Sequence, residues 1–501
     1  MSVNRLRILM VTSELVPLAK VGGLGDMVSA LAAELDRQGH DVRVVLPRYY
    51  SLDRADFERI EGPLGVPLGL GEEWCAVIAT ELAGSGVKVY ALDHEGLFGR
   101  DGVYGTRAEP AFPDNVRRFA MLCRGALQVC KMLDWTPDVV HAHDWPAALA
   151  PVYLYTVEAQ GPFERTGSLL TLHNLGHQGL FGERDFVHTG LPLGSLEGSG
   201  FRSGRDNINL LVAGALHADV LTTVSPTYAR EIQTPAHGEG MDGLLRRRSG
   251  DLFGVLNGID YEVWNPETDP LIPATFSVDD LSGKAAVKSA LQEELGLEVT
   301  ADVPLVGMVT RLVRQKGITE LCAPAFGSLF SICRDMALQV VILGTGEAWL
   351  EKELQTLAAV LPNLRVVLKF DDRLAHLIEG GSDFFLMPSR YEPCGLSQMY
   401  ALRYGTLPIV RRTGGLADTV ESYDEETGAG TGFVFDELTP LSIYNSVGWA
   451  VWAWYNRKQH LAEMRRRGME LRFSWETSAR RYAELYQWAK DRRIGQTMRI
   501  W

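Results

Sequence analysis

The chain reads as an α/β protein made of two doubly wound domains, each a parallel sheet with crossover helices. Three observations predict this. Short apolar runs alternate with helical stretches, and each run is followed by a loop of Gly, Asn, His or basic residues. The alternation starts at Ile8–Thr12 and starts afresh at Pro304–Thr310, after a linker at Trp264-Asn265-Pro266. Finally, 501 residues are too many for one core and suggest roughly two or three domains.

Composition narrows the function classes. The formal net charge of −14 argues against nucleic acid or an anionic membrane as a partner, since neither attracts an acidic surface. The six cysteines, Cys75, Cys123, Cys130, Cys322, Cys333 and Cys394, are scattered with no CxxC pair, the pattern of reduced core thiols. The first residues reach an apolar strand too soon for a signal or transit peptide, and Leu441–Tyr455 is too short and too polar to span a bilayer. A cytoplasmic protein is expected.

The first βαβ unit comprises strand Ile8–Thr12, loop Leu18–Asp26, a helix from Met27 to about Gln38, and strand Asp41–Leu46. Its loop carries Lys20, Gly22 and Gly23, which depart from the dinucleotide pattern G-x-G-x-x-G. A cation beside a helix start still suits a diphosphate, and a tight turn with no ligand is the plain alternative. Strand Val87–Leu92 and helix Asn115–Met132 follow, with the glycine-rich aromatic loop Phe98–Tyr104 between them, either sugar-lining or plain surface. Strand residues 137–143 end in His141-x-His143-Asp144. The two-residue period puts both histidines on one strand face, so a zinc site completed by His173 has to be weighed against a structural His141 and a polar pocket residue Asp144. Strand Ser168–Leu172 then delivers His173 and Asn174, suited to sugar hydroxyls or to plain capping. Strand Ala218–Ser225 precedes a helix from Thr227, and Asn257 sits in an Asn-Gly turn that needs no ligand to explain it.

In the second half, Arg311 and Lys316 stand between the strand ending at Thr310 and a helix expected from Ile318. Two fixed cations there suit a leaving diphosphate, Arg by bidentate contact and Lys as a point charge. Strands Leu338–Leu343 and Leu364–Phe370 continue the sheet, with Gly344 available for close approach. The buried run Asp383–Met387 is stopped by Pro388-Ser389, so the stretch Ser389–Gly395, with Glu392, Cys394 and Gly395, lies at a strand's carboxyl end, where open α/β sheets bind ligands. A helix expected near Gly395 would aim its N-terminus at that loop, and strand Leu407–Val410 leads into Arg411-Arg412-Thr413-Gly414-Gly415, whose backbone could approach the same ligand. The C-terminal positions Ala479, Tyr482, Leu485, Tyr486 and Ala489 form one apolar helical face.

Residues Lys20–Leu24, His141–Trp145, His173–Gly179, Asn257–Asp260, Ser389–Gly395, Tyr404–Pro408 and Arg411–Asp418 together resemble the signatures of bacterial glycogen synthases and plant starch synthases, over nearly the whole chain. Departures are Val21 for the usual Thr, Gly25 for Ala, Pro146 for His, His177 for Tyr and Phe370 for Tyr. The resemblance implies a GT-B fold, two Rossmann-like domains facing across a cleft. Residues 1–260 joined by a C-terminal helix 475–501 would form the acceptor domain, and 261–474 the nucleotide-sugar domain. It implies a retaining transfer of glucose from ADP-glucose to the non-reducing 4-OH of an α-1,4-glucan, with no cofactor and no metal. Asp144, Arg311, Lys316 and Glu392 would be catalytic. Lys20, Gly22, Gly23, His173, Asn174, Asn257, Gly344, Phe370, Cys394, Gly395, Leu396, Tyr400, Thr413 and Gly414 would bind the donor. Retention is open between front-face attack, which we favour, and a covalent intermediate on Glu392 or Asp144. UDP-glucose use, maltosyl transfer and, remotely, a metal-dependent hydrolase on the HxH strand are the other readings.

Overall fold

A computed structural model describes residues 5–106, 108–195, 201–203, 206–324 and 327–500. By contacts the chain divides into two units. The first runs to Val224, then from Ala229 to Gly258 and from Trp475 onward; the second holds Ser225–Tyr228 and Ile259–Ser474. The division differs from the expected boundary at 260 for a local reason. Ser225 Oγ donates to the Pro393 carbonyl at 2.6 Å, Thr227 donates its N–H and hydroxyl to Asp418 at 2.8 and 2.7 Å, and the Ile259 N–H donates to the Phe473 carbonyl at 2.9 Å.

In the first unit seven strands are parallel, in the spatial order Leu252–Gly254, Val220–Thr223, Gly167–Leu172, Val139–His143, Arg7–Val11, Asp41–Pro47, Lys88–Asp93. Buried Ile8, Met10, Val42, Val44, Val139, Leu169 and Val220 put one face of that sheet into a single core. The helix Trp475–Ile500 closes this face: Ala479, Tyr482, Leu485, Tyr486 and Ala489, the positions expected from the apolar stripe, all lie in that core.

Reading the sheet as purely parallel missed an antiparallel extension, in which Gly71–Glu81 pairs with Lys88–Asp93, Glu58–Arg59 and Leu64–Leu68. Its burial is partial and mixed with exposed Glu72 and Trp74, the pattern of a one-sided sheet, which gives no continuous apolar run to detect.

The second unit has six parallel strands in the order Leu364–Val367, Gln339–Leu343, Leu305–Val309, Phe384–Met387, Leu407–Arg411, Phe433–Phe435. Val306, Val340, Ile342, Phe384 and Leu386 join one core, while Leu305, Val341, Leu343, Phe385 and Met387 join another. Alternate residues thus face opposite sides, both covered, which is why these strands read as unbroken apolar runs.

In each unit the first strand has neighbours reached in opposite directions, which makes a topological switch point at its carboxyl end. Arg7–Val11 lies between Asp41–Pro47 and Val139–His143; Leu305–Val309 lies between Gln339–Leu343 and Phe384–Met387. The loops leaving Val11, His143, Val309 and Met387 therefore flank the crevices that such sheets use for ligands.

Candidate functional site

The second unit assembles the tighter cluster. Pro388 ends the strand Phe384–Met387, and Lys316 Nζ lies 2.6 Å from Glu392 Oε2, which also accepts the Ser389 hydroxyl at 2.8 Å. Both charged side chains are largely buried, 17% exposed for Lys316 and 7% for Glu392, so their attraction is little screened. The loop is tied to its neighbour by Arg390 N–H donating to the Gln315 carbonyl at 2.8 Å. Gly317 has φ 73° and its missing Cβ would meet the Pro388 carbonyl at 2.0 Å, so only glycine lets the two loops approach this closely. Arg311 lies exposed on the same loop and makes no side-chain hydrogen bond or ion pair among the described residues, leaving its guanidinium available.

The glycines after Thr413 are needed for packing within the protein. A Cβ on Gly414 would sit 1.9 Å from the Glu392 carbonyl, and one on Gly415 would sit 1.9 Å from that of Cys394. The Gly415 N–H donates to the Glu392 carbonyl at 3.0 Å. These residues seat the loop against the backbone of Glu392 and Cys394. Thr413 is the buried N-cap residue of the short helix Gly414–Thr419.

The helix after Gly395, which has φ 72°, starts only at Ser397, with Leu396 as its N-cap residue. Buried Gln398 of that helix donates to the Cys394 and Gly395 carbonyls at 3.2 and 2.9 Å. The Tyr400 ring stacks on Trp264 at 3.9 Å, which stacks in turn on His376 at 3.8 Å, so that ring packs within the unit. Gly344 abuts the Thr310 carbonyl, a Cβ there meeting it at 1.8 Å. Phe370, by contrast, is 87% exposed, so its ring is accessible to a planar partner.

In the first unit the strand Val139–His143 hands the chain to Asp144, which adopts φ 56°, a conformation that costs energy in a non-glycine residue and recurs at functional sites. Asp144 Oδ1 accepts the His173 N–H at 2.7 Å. Burial pushes its carboxyl up to about 8; the N–H groups of His173 and Asn174 oppose that shift and the nearby Glu14 charge adds to it. His143 Nδ1 is 3.2 Å from His173 Nε2, and burial holds both rings neutral, with His173 lowered to about 3. His141 bonds Tyr486 Oη at 2.8 Å and Thr171 Oγ1 at 2.7 Å, so both its nitrogens are engaged and neither is left to ligate a metal. Among the described residues no three His, Cys, Asp or Glu side chains group as a metal site.

Asn174 Oδ1 accepts the Gly176 N–H at 2.9 Å, the capping role allowed as its alternative. Asn257 is 7% exposed and its Oδ1 has no partner among the described residues. The loop from His173 continues to Gln178, which with Asn209, Glu239 and Arg247 lines an open cavity of about 460 Å³.

The helix of the first βα unit begins at Gly23, not Met27, so Gly23 is already helical. Lys20 is half-exposed and pairs with Asp26 at 2.8 Å. Gly22 has an ordinary extended backbone with nothing within 4 Å of where a Cβ would lie, so the fold does not require glycine there. Sequence reasoning passed over Glu14 and Tyr104: Glu14 accepts the N–H groups of Val21 and Gly22 at 2.7 and 2.8 Å and the Tyr104 hydroxyl at 2.6 Å. No spacing pattern marks either residue; only the loop Phe98–Tyr104 as a whole carried a signal.

Comparison with known proteins bears on the whole chain. Residues 7–247 match the family model described as starch synthase catalytic domain, and residues 296–450 match glycosyl transferases group 1. A glycogen synthase of Treponema denticola is 54% identical over 481 residues, 96% of this chain and 98% of that protein. The chain belongs to the glycogen synthase and starch synthase family.

Glycogen synthase 1 of Geobacter metallireducens is 46% identical over 98% of both chains. Among solved structures, the catalytic domain of starch synthase IV from Arabidopsis thaliana, bound to ADP and acarbose, superposes with a TM-score of 0.88 at 32% identity, covering 97% of this chain and 100% of that one. A sucrose-phosphate synthase from Thermosynechococcus elongatus, at 18% identity and a TM-score of 0.59, shares the fold. This member of the synthase family is thus a GT-B glycosyltransferase, its two units both Rossmann-like.

Proposed function

We propose that the protein transfers glucose from ADP-glucose to the non-reducing 4-OH of an α-1,4-glucan with retention. The observation that carries the reading is the buried Lys316–Glu392 pair at the switch point of the second sheet, with Arg311 exposed on the Lys316 loop and without a side-chain partner among the described residues. Breaking the anomeric C–O bond moves negative charge onto the diphosphate, and cations already fixed in place stabilise that charge without reorganisation. Arg311 and Lys316 take the diphosphate, Glu392 accepts hydrogen bonds from sugar hydroxyls, and the exposed Phe370 ring stacks on the base.

Lys20 and the open backbone at Gly22 offer further donor contacts, and the neutral Asp144 carboxyl can donate to a sugar hydroxyl. The cavity lined by Gln178, Glu239 and Arg247 suits a polyhydroxylated acceptor. Because protein cations carry the leaving-group charge, the reaction is read as needing no cofactor. The acceptor hydroxyl attacks on the face the leaving group departs from and passes its proton to the diphosphate.

The starch synthase IV structure, with ADP and acarbose, supports the choice of adenine nucleotide and glucan. The test is incorporation of label into glycogen from ADP-glucose and, separately, from UDP-glucose. Label from ADP-glucose at a much higher kcat/KM is expected; equal or greater use of UDP-glucose would overturn the donor assignment.

A further inference from the structure

The loop that precedes the first helix carries its own anion. Glu14 lies three residues past the first strand and is 3% exposed. Its Oε2 accepts two consecutive backbone N–H groups, from Val21 at 2.7 Å and Gly22 at 2.8 Å. Its Oε1 accepts the Tyr104 hydroxyl at 2.6 Å, and that hydroxyl also lies 2.9 Å from Ser13 Oγ. Successive N–H groups turned toward one point form a nest that binds an anion, and a buried carboxylate is tolerable only where such donors surround it.

Tyr104 is held from behind. Asn115 Nδ2 donates to its carbonyl at 2.9 Å, and the buried Arg118 donates to the carbonyls of Val103 and Leu97 at 2.8 Å each. The Tyr104 ring lies 5.9 Å from Trp145, the neighbour of Asp144. On its outer side the loop is bare: Val21 is 58% exposed and Gly22 meets nothing. Beside the Leu15–Ala19 backbone pair and the Lys20–Asp26 ion pair, the inner carboxylate is the contact that holds the Val21 and Gly22 N–H groups.

We infer that Glu14 is a positioning residue, an internal anion that fills the Val21–Gly22 N–H nest and holds the Lys20 loop ready for the diphosphate of the donor. The kinetic side of this rests on the reading given above; the structural side does not. Two measurements separate them. Amide hydrogen exchange reports whether Val21 and Gly22 lose protection in Glu14→Ala, whatever the substrate is. Steady-state kinetics with ADP-glucose and glycogen report what that loss does to the reaction.

Glu14→Ala is expected to lose protection at Val21 and Gly22 and to lower kcat/KM for the donor about a hundredfold, the usual scale for a misplaced contact group. Added formate, which fits the emptied nest, restores both readouts in part. Tyr104→Phe leaves the nest occupied and keeps the two amides protected. Wild-type protection at both amides in Glu14→Ala would overturn the inference, and so would a kinetic loss that formate does not reduce. Should Glu14→Ala fail to fold, Glu14→Gln carries the same readouts: faster exchange at the two amides supports the inference and unchanged exchange contradicts it. Loss of protection with no glucosyl transfer from ADP-glucose even by the wild type would sustain the Glu14 assignment while refuting the donor.

Discussion

Asp144 is the residue whose surroundings most clearly set its chemistry. Its carboxyl is raised to about 8 by burial, against the N–H groups of His173 and Asn174 and with the Glu14 charge adding to the shift. In the unfolded chain the same group titrates at the ordinary value of 3.8. The folded protein therefore binds the extra proton between those values, and this group's contribution to stability falls as the pH rises from about 4 to 8 and then levels. Asp144→Asn should flatten that part of the stability profile, checked by denaturant midpoints across the range. It should also remove an inflection near pH 8 from kcat/KM, since asparagine keeps a donor at every pH. A variant whose two profiles match the wild type would contradict the shift.

The residue scale also shows what the sequence could and could not disclose. Lys316 and Glu392 were legible because each follows an apolar strand in a run of distinctive residue types. Glu14 was not, because a carboxylate that binds its own backbone needs no spacing pattern to do so. Gly414 and Gly415 were legible as glycines, but their packing was not: a sequence shows that a side chain is missing, and only coordinates show that the Glu392 and Cys394 carbonyls fill its place.

At the scale of elements, the two sheets use one device twice. In each, the loop after the first strand carries cations, Lys20 in one and Arg311 with Lys316 in the other. The loop after its neighbour across the switch point carries a carboxylate, Asp144 or Glu392. Five of the six strands of the second unit were legible because their apolar runs are unbroken, while the three-residue edge strand Phe433–Phe435 was missed; the antiparallel extension Gly71–Glu81 was not legible either, because its burial is partial. The start of the first helix was placed four residues late, since Gly23 and Gly25 read as a loop although the helix already includes them.

The seating of the Thr413–Gly415 loop gives an element-scale prediction. Gly415→Ala forces a Cβ into the Cys394 carbonyl, so the loop or the Glu392 backbone must move. Overpacking of this kind costs about 1–3 kcal/mol. Thermal unfolding should show that loss together with a lower kcat, although no side chain that touches substrate has changed. Wild-type stability and turnover in Gly415→Ala would mean that the loop has slack the structure does not show.

Over the whole molecule, the second unit has a core on each face of its sheet, and the final helix completes a core of the first unit. Among the described residues no helix is long and apolar enough to cross a membrane. The chain carries a formal net charge of −14, while Lys20, Arg311 and Lys316 stand in strand-end loops. General electrostatic attraction therefore does not explain the binding of an anionic donor, and fixed local groups must. The central claim is that these groups stabilise the departing diphosphate more than they stabilise the bound donor. The direct measurement compares Lys316→Ala with the wild type in single-turnover transfer from ADP-glucose and in calorimetric binding of the same donor. The account predicts a fall in the transfer rate of about a hundredfold or more, with a much smaller change in Kd. A Kd weakened by that factor with the transfer rate intact would contradict it, showing that Lys316 holds the substrate and does nothing further for the reaction.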